Sequence, residues 1–229
     1  GLSIANLPAS VCRWLGAEPP PTAAPPLDSR VLGHWERTFE NVVLLLVDGF
    51  GLDMFQAALA AGWNDLPQDS LLAALTSVAP STTAAALTTL WTGAYPAEHG
   101  VIGYELFLKE YGMIANMITH NPVGYPPGVG GLGSVGFKPE TFLPVPTLGP
   151  HLAQQGVQPY AFIHRSIASS SLSSLLHQGA VTSPALGLSD LFVSLEQLLD
   201  SPARSRRYVY AYWSSLDDLS HRYGPSDVR

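Results

Sequence analysis

The stretch NVVLLLVDGFG, residues 41–51, decides the fold. Its apolar run from Val42 to Val47 lacks the alternation of a half-buried strand and is too short for a helix. That pattern belongs to a strand buried on both faces of a parallel sheet. Asp48 ends the run and is followed by glycines. An acid in that position either caps the next helix or acts as a ligand. In open α/β sheets, chemistry gathers at the carboxyl ends of strands, so both readings stay open.

The elements on either side alternate in kind. LDMFQAALAAG reads as a helix ending at Gly62. A second apolar run, LLAALTSV (71–78), leads into SVAPSTTAAALTTLWTG (77–93), whose alanine-rich part reads as a helix. TLGPHLAQQG is predicted helical, QPYAFIH a strand, LSDLFVSLEQLLD an amphipathic helix, and RRYVYAYWS (206–214) another strand. Strand and helix in alternation predict an α/β domain with a mostly parallel central sheet and helices on both faces. EPPPTAAPPLDS (18–29) is expected to be an extended proline-rich arm. The Gly/Pro-rich segment 121–146 is expected to be an insertion or lid, or equally a solvated excursion. If it is a lid, Tyr125 and Phe137 are its candidate substrate contacts.

Composition limits the function classes. A chain of 229 residues with 46% hydrophobic and 13% charged residues can bury a real core, which argues against extensive disorder. A net charge of −7 disfavours a nucleic-acid polymer as partner, since that calls for a basic face. It leaves room for a small phosphorylated substrate, because a bound metal can reverse the local field. The single cysteine, Cys12, permits no intrachain disulfide and no thiolate cluster. No apolar stretch reaches the length of a membrane span. The first residue is Gly1, so a removed leader or a trimmed start is possible. Compartment, cytoplasmic or exported, and oligomeric state are left open.

Two further patches carry chemistry. Ser81, Thr82 and Thr83 follow Pro80 and precede the alanine-rich helix. One hydroxyl suffices to cap a helix. The others are free to bind a phosphate at the helix N-terminus or to act as a nucleophile. In WSSLDDLSHRYGPSD, Asp217 and His221 are four apart and can converge on one metal. The alternative is that Asp217, Asp218 or Ser220 caps a helix while His221 lies on the surface.

Together, LLLVDGFG, APSTTAAALTTLWTGAYPAEHGVIG and LDDLSHRYGP resemble the alkaline phosphatase superfamily in order and spacing. The closest resemblance is to its nucleotide pyrophosphatase/phosphodiesterase (type I phosphodiesterase) branch. It is close over about 41–104, good over 206–225 and loose between. The resemblance implies an alkaline-phosphatase-like fold and a metal-dependent hydrolase of small phosphoric esters. It also implies a threonine nucleophile and two zinc ions, or other divalent metals in their place. Residue by residue, Asp48 matches a ligand of one zinc. Thr83 matches the nucleophile, which also touches that zinc. Asp217 and His221 match ligands of the second. His99 matches a histidine that is not a ligand, and is expected to be structural.

The chain departs from the family pattern at several places. Ala84 stands where an aromatic residue usually helps stack a nucleobase, and an expected phosphate-holding Asn is replaced around Tyr104. The sulfatase branch is disfavoured, because Cys12 sits in VCRWL and not in that branch's motif. The family's downstream Asp-His pair and late histidine do not occur before Arg229. The expectation is a fold incomplete at the C-terminus, with residues 1–229 alone inactive. The alternative is a non-catalytic binding or structural domain that keeps the fold with an incomplete metal site.

Overall fold

A computed structural model describes residues 1–63, 66–125, 131–225 and 227. The chain opens with α1 (Leu7–Trp14) and α2 (Ser29–Leu32), then β1 (Asn41–Val47), α3 (Leu52–Ala60), α4 (Thr83–Thr92) and α5 (Pro96–His99). A hairpin and a short third strand follow: β2 (Glu105–Leu108), β3 (Met113–Asn116) and β4 (Asn121–Pro122). The rest runs α6 (Leu148–Gln154), β5 (Val157–His164), α7 (Arg165–Ala168), α8 (Ser171–Leu176), β6 (Val181–Ala185), α9 (Leu188–Asp200), β7 (Arg206–Trp213) and α10 (Ser215–Tyr223).

The main sheet has the order β1-β7-β5-β6, and every pairing in it is parallel. Period-2 alternation along the strands builds two cores. Tyr208, Tyr210 and Tyr212 of β7, with Ala161 and Ile163 of β5, face α1, α4, α6 and α8. Val209 and Ala211, with Phe162 and Ala185, face Leu191 and Leu195 of α9. Helices therefore cover both faces, as the alternating sequence predicts. Trp91 of α4 is fully buried, its ring 5.7 Å from Tyr208 and 5.3 Å from Tyr210. The buried Arg207 guanidinium donates to the Leu198 and Ser201 carbonyls, each at 2.6 Å. It thereby adds a donor to the Leu198 carbonyl in the last turn of α9 and pairs the carbonyl of its C-cap, Ser201.

β1 differs from the sequence expectation. Among the described residues it pairs only with β7, and Val43 and Leu45 are 44% and 42% exposed. An apolar run marks a parallel sheet but does not fix a strand's rank in the order. The run at 71–78 forms no strand, making one parallel bridge between Thr76 and Ser3, with Leu71 and Leu72 exposed. The arm at 18–29 is extended but tied down, since Ala24 N–H donates to the Gly93 carbonyl and Leu27 N–H to Ser10 Oγ.

Of segment 121–146, residues 126–130 lie outside the described residues. Tyr125 is exposed. Phe137 is not available to a substrate: it is 7% exposed and packs with Tyr111, His120 and Phe142.

Candidate functional site

The carboxyl ends of β1 and β7 lie side by side, with Val47 opposite Trp213 and Asp48 N–H donating to the Trp213 carbonyl at 2.9 Å. This register brings Asp48 to the start of α10. Gly49 makes the approach possible. Its φ is +77°, and a Cβ there would sit 2.9 Å from the Asp217 backbone N and Cα. A side chain would both strain the left-handed turn and push α10 away. Gly49→Ala is accordingly expected to cost about 2 kcal/mol of stability, read from the urea midpoint. Unchanged stability would show that the contact yields.

Asp48 is not a helix cap. The N-cap of α3 is Gly51, and Asp48 Oδ1 accepts from Gly49 N–H at 3.1 Å. Its Oδ2 accepts two hydroxyls, Tyr212 Oη at 2.6 Å and Thr83 Oγ1 at 3.2 Å. The hydroxyl cluster divides as its chemistry allows. Thr82 is the N-cap of α4, with Oγ1 accepting from Ala85 N–H at 3.4 Å. Thr83, the first helical residue, keeps its hydroxyl for Asp48. Ala84 faces the core and is fully buried.

Asp217 and Asp218 lie in the first turn of α10, where acids suit the helix dipole, and the N-cap is Ser214. The capping alternative for Asp217, Asp218 and Ser220 therefore does not hold. Asp217 Oδ2 and His221 Nε2 are 3.5 Å apart one turn from each other, with the imidazole largely exposed. Burial holds the Asp217 carboxyl above the usual carboxylate range, and the charge of Asp48 adds to that, while His221 opposes it. Burial, then the hydrogen bond to Asp48, pushes the Tyr212 phenol far up, so it stays a protonated donor. Asp48, Thr83, Asp217, Asp218, His221 and Tyr104 line one cavity of 890 Å³. No Lys or Arg is among its described lining residues.

His99 is buried at the end of α5. Its Nδ1 accepts from Val101 N–H at 3.1 Å, which leaves the neutral ring to donate from Nε2 to Thr89 Oγ1 at 3.1 Å. Both nitrogens serve packing, in line with the structural role expected of it.

The donors around the cavity, carboxylates and an imidazole, are of the type that suits zinc. Their number is short of closed shells. Among the described residues, no three His, Cys, Asp or Glu side chains converge as a metal site.

Tyr212 is the residue of this site that motif reading misses. In a strand an aromatic residue signals only β-propensity. The available clue is that Tyr208, Tyr210 and Tyr212 alternate onto one face and end beside Asp48.

No curated protein matches the chain. The family model for type I phosphodiesterase/nucleotide pyrophosphatase matches residues 42–229, which takes in Asp48, Thr83, Asp217 and His221. With motifs, parallel sheet and family match in agreement, the chain belongs to the type I phosphodiesterase/nucleotide pyrophosphatase family of phosphoester hydrolases.

Proposed function

We propose that the protein is a metal-assisted phosphodiesterase in which Thr83 is the nucleophile. In this reading Asp48, Thr83, Asp217 and His221 supply part of the ligand set of two zinc ions. One observation carries it: Thr83 Oγ1 stands at the first residue of α4, hydrogen-bonded to Asp48, in the cavity that Asp217 and His221 also line. Asp48 orients the hydroxyl, and Tyr212 Oη holds Asp48 in turn. Thr83 Oγ1 loses its proton and bonds to phosphorus as the P–O bond to the leaving group breaks, and the leaving oxygen takes up a proton to depart as the alcohol. Water then displaces Thr83 Oγ1, which regains a proton, and frees the phosphomonoester. The first-turn N–H groups of α4 and its dipole suit the phosphoryl charge. When bound, the metals lower the pKa of the hydroxyl and neutralise phosphoryl oxygens.

Apart from the metals, the described lining offers no Lys or Arg to pair a second negative charge on the substrate, while Asp48, Asp217 and Asp218 oppose it. The full-length protein with zinc is expected to hydrolyse an aryl phosphodiester with kcat/KM at least about tenfold above the matching monoester, or 1.4 kcal/mol. Chelation should abolish both activities. A faster monoester would sink the diesterase reading. No hydrolysis of either ester would favour the non-catalytic domain, the reading that the incomplete ligand set supports.

With Ala84 turned into the core, the residue after Thr83 offers no ring to stack a base, which leaves Tyr104 and Phe50 as the aromatic side chains of that cavity's described lining. A nucleotide ester is expected to gain less than about 100-fold over a simple alkyl ester, roughly 2.7 kcal/mol.

A further inference from the structure

A second cavity, of 240 Å³, opens off the nucleophile. Its rim holds Thr83, Tyr104, Asp217 and Asp218, and its buried wall includes Tyr210 and His177. Tyr210 is 1% and His177 9% exposed, their ring centroids 5.8 Å apart. Tyr210 Oη and His177 Nδ1 are both buried without a hydrogen-bond partner in the protein. Most buried polar groups are paired, so two orphans in one cavity wall point to a ligand that pairs them. The serine hydroxyls nearby are already engaged, Ser166 with His164 at 2.7 Å and Ser170 with Ser173 at 3.0 Å.

We propose that this cavity receives one ester group of the substrate and selects a small neutral polyol, of glyceryl size, whose hydroxyls pair with Tyr210 Oη and His177 Nδ1. It rests on the phosphodiesterase reading and names that reaction's substrate class. Leu87, Ile118, Ile163 and Leu172 also line the cavity and suit the carbon chain of a polyol, while the two orphaned polar atoms set the preference among competitors. A hydroxyl both donates and accepts, as Tyr210 Oη does, and can satisfy a neutral imidazole in either tautomer. An acyl tail would leave both polar atoms unpaired against hydrocarbon. An anionic group would meet Asp218 at the rim and find no Lys or Arg among the described lining residues. The volume corresponds to about eight water-sized groups at roughly 30 Å³ each, which suits a glyceryl group. Tyr212 links the two cavities: its ring lies nearly parallel to that of Tyr210, 6.4 Å away, and its hydroxyl holds Asp48.

The test compares p-nitrophenyl glyceryl and p-nitrophenyl propyl phosphodiesters as substrates of the full-length protein with zinc. We expect kcat/KM to favour the glyceryl ester by about 10- to 100-fold. Tyr210→Phe keeps the ring and removes only the hydroxyl. It should reduce that ratio about tenfold, and His177→Phe should do likewise, with circular dichroism confirming each fold. A wild-type ratio near one, or a ratio unchanged in both variants, overturns the proposal. If neither ester is cleaved, the phosphodiesterase reading fails, and the same two esters become binding probes by thermal shift. A larger shift with the glyceryl ester that Tyr210→Phe abolishes still supports the pocket, whereas equal shifts overturn it.

Discussion

Replacing Thr83 by alanine is expected to lower turnover of a phosphodiester more than about 10⁴-fold, or roughly 5 kcal/mol in activation free energy. The fold should be unaffected. The Thr83 hydroxyl makes one hydrogen bond, to Asp48, and Asp48 retains those from Tyr212 and Gly49. The companion variant separates the two threonines. Thr82→Ala removes the cap on α4, costing about 1 kcal/mol of stability, but leaves the attacking oxygen in place. Steady-state rates on both variants, with urea unfolding alongside, distinguish the roles. Loss of activity in Thr82→Ala with retention in Thr83→Ala would put the nucleophile one residue earlier.

Acid is expected to destabilise the fold well before its carboxylates are fully protonated. Burial lowers the pKa of His99, His120 and His177 from 6.5 to about 4 each. Below pH 6.5 the unfolded chain takes up protons that the folded chain refuses, so stability falls with pH. The loss runs from about pH 6.5 down to about pH 4 and then levels off, since below that both states are protonated. At 1.36 kcal/mol per pH unit, the fall from 6.5 to about 4 caps each histidine's share at about 3 to 4 kcal/mol. The urea midpoint should therefore drop steeply across that window. His120→Asn should flatten the slope, because Asn tolerates the φ of +51° found at His120 and does not titrate. A midpoint that stays level from pH 6.5 to 4 would show that these imidazoles charge inside the fold.

The sequence made Asp48, Thr83, Asp217 and His221 legible because each stands at a boundary: a strand end, a helix start, or one turn of a helix. Local rules act at such places, and the structure gathers all four around one cavity. β5, α9 and β7 were legible for a similar reason, being long and strongly patterned. What escaped depends on distant partners. The rank of β1 in the described sheet depends on β7, a partner far along the chain. The β2–β3 hairpin has strands of only four residues, too short for alternation to register. Phe137 sits among glycines and prolines, as a lid aromatic would, yet it packs against His120 and Phe142. Nothing local to Tyr210 reveals that its hydroxyl faces no partner, since that depends on α4, α8 and β5 together.

The pairing of β1 with β7 also sets a timetable for synthesis. Asn41 finds its partner at Arg207, 166 positions later (207 minus 41). At about 5–20 residues per second, a ribosome needs roughly 8–33 s to make that stretch. Through that interval Val42–Val47 is a bare apolar strand on the nascent chain, with Asp48 and Thr83 already made but nothing to hold them together. The cavity that Asp48 and Thr83 line therefore cannot close before β7 has been made.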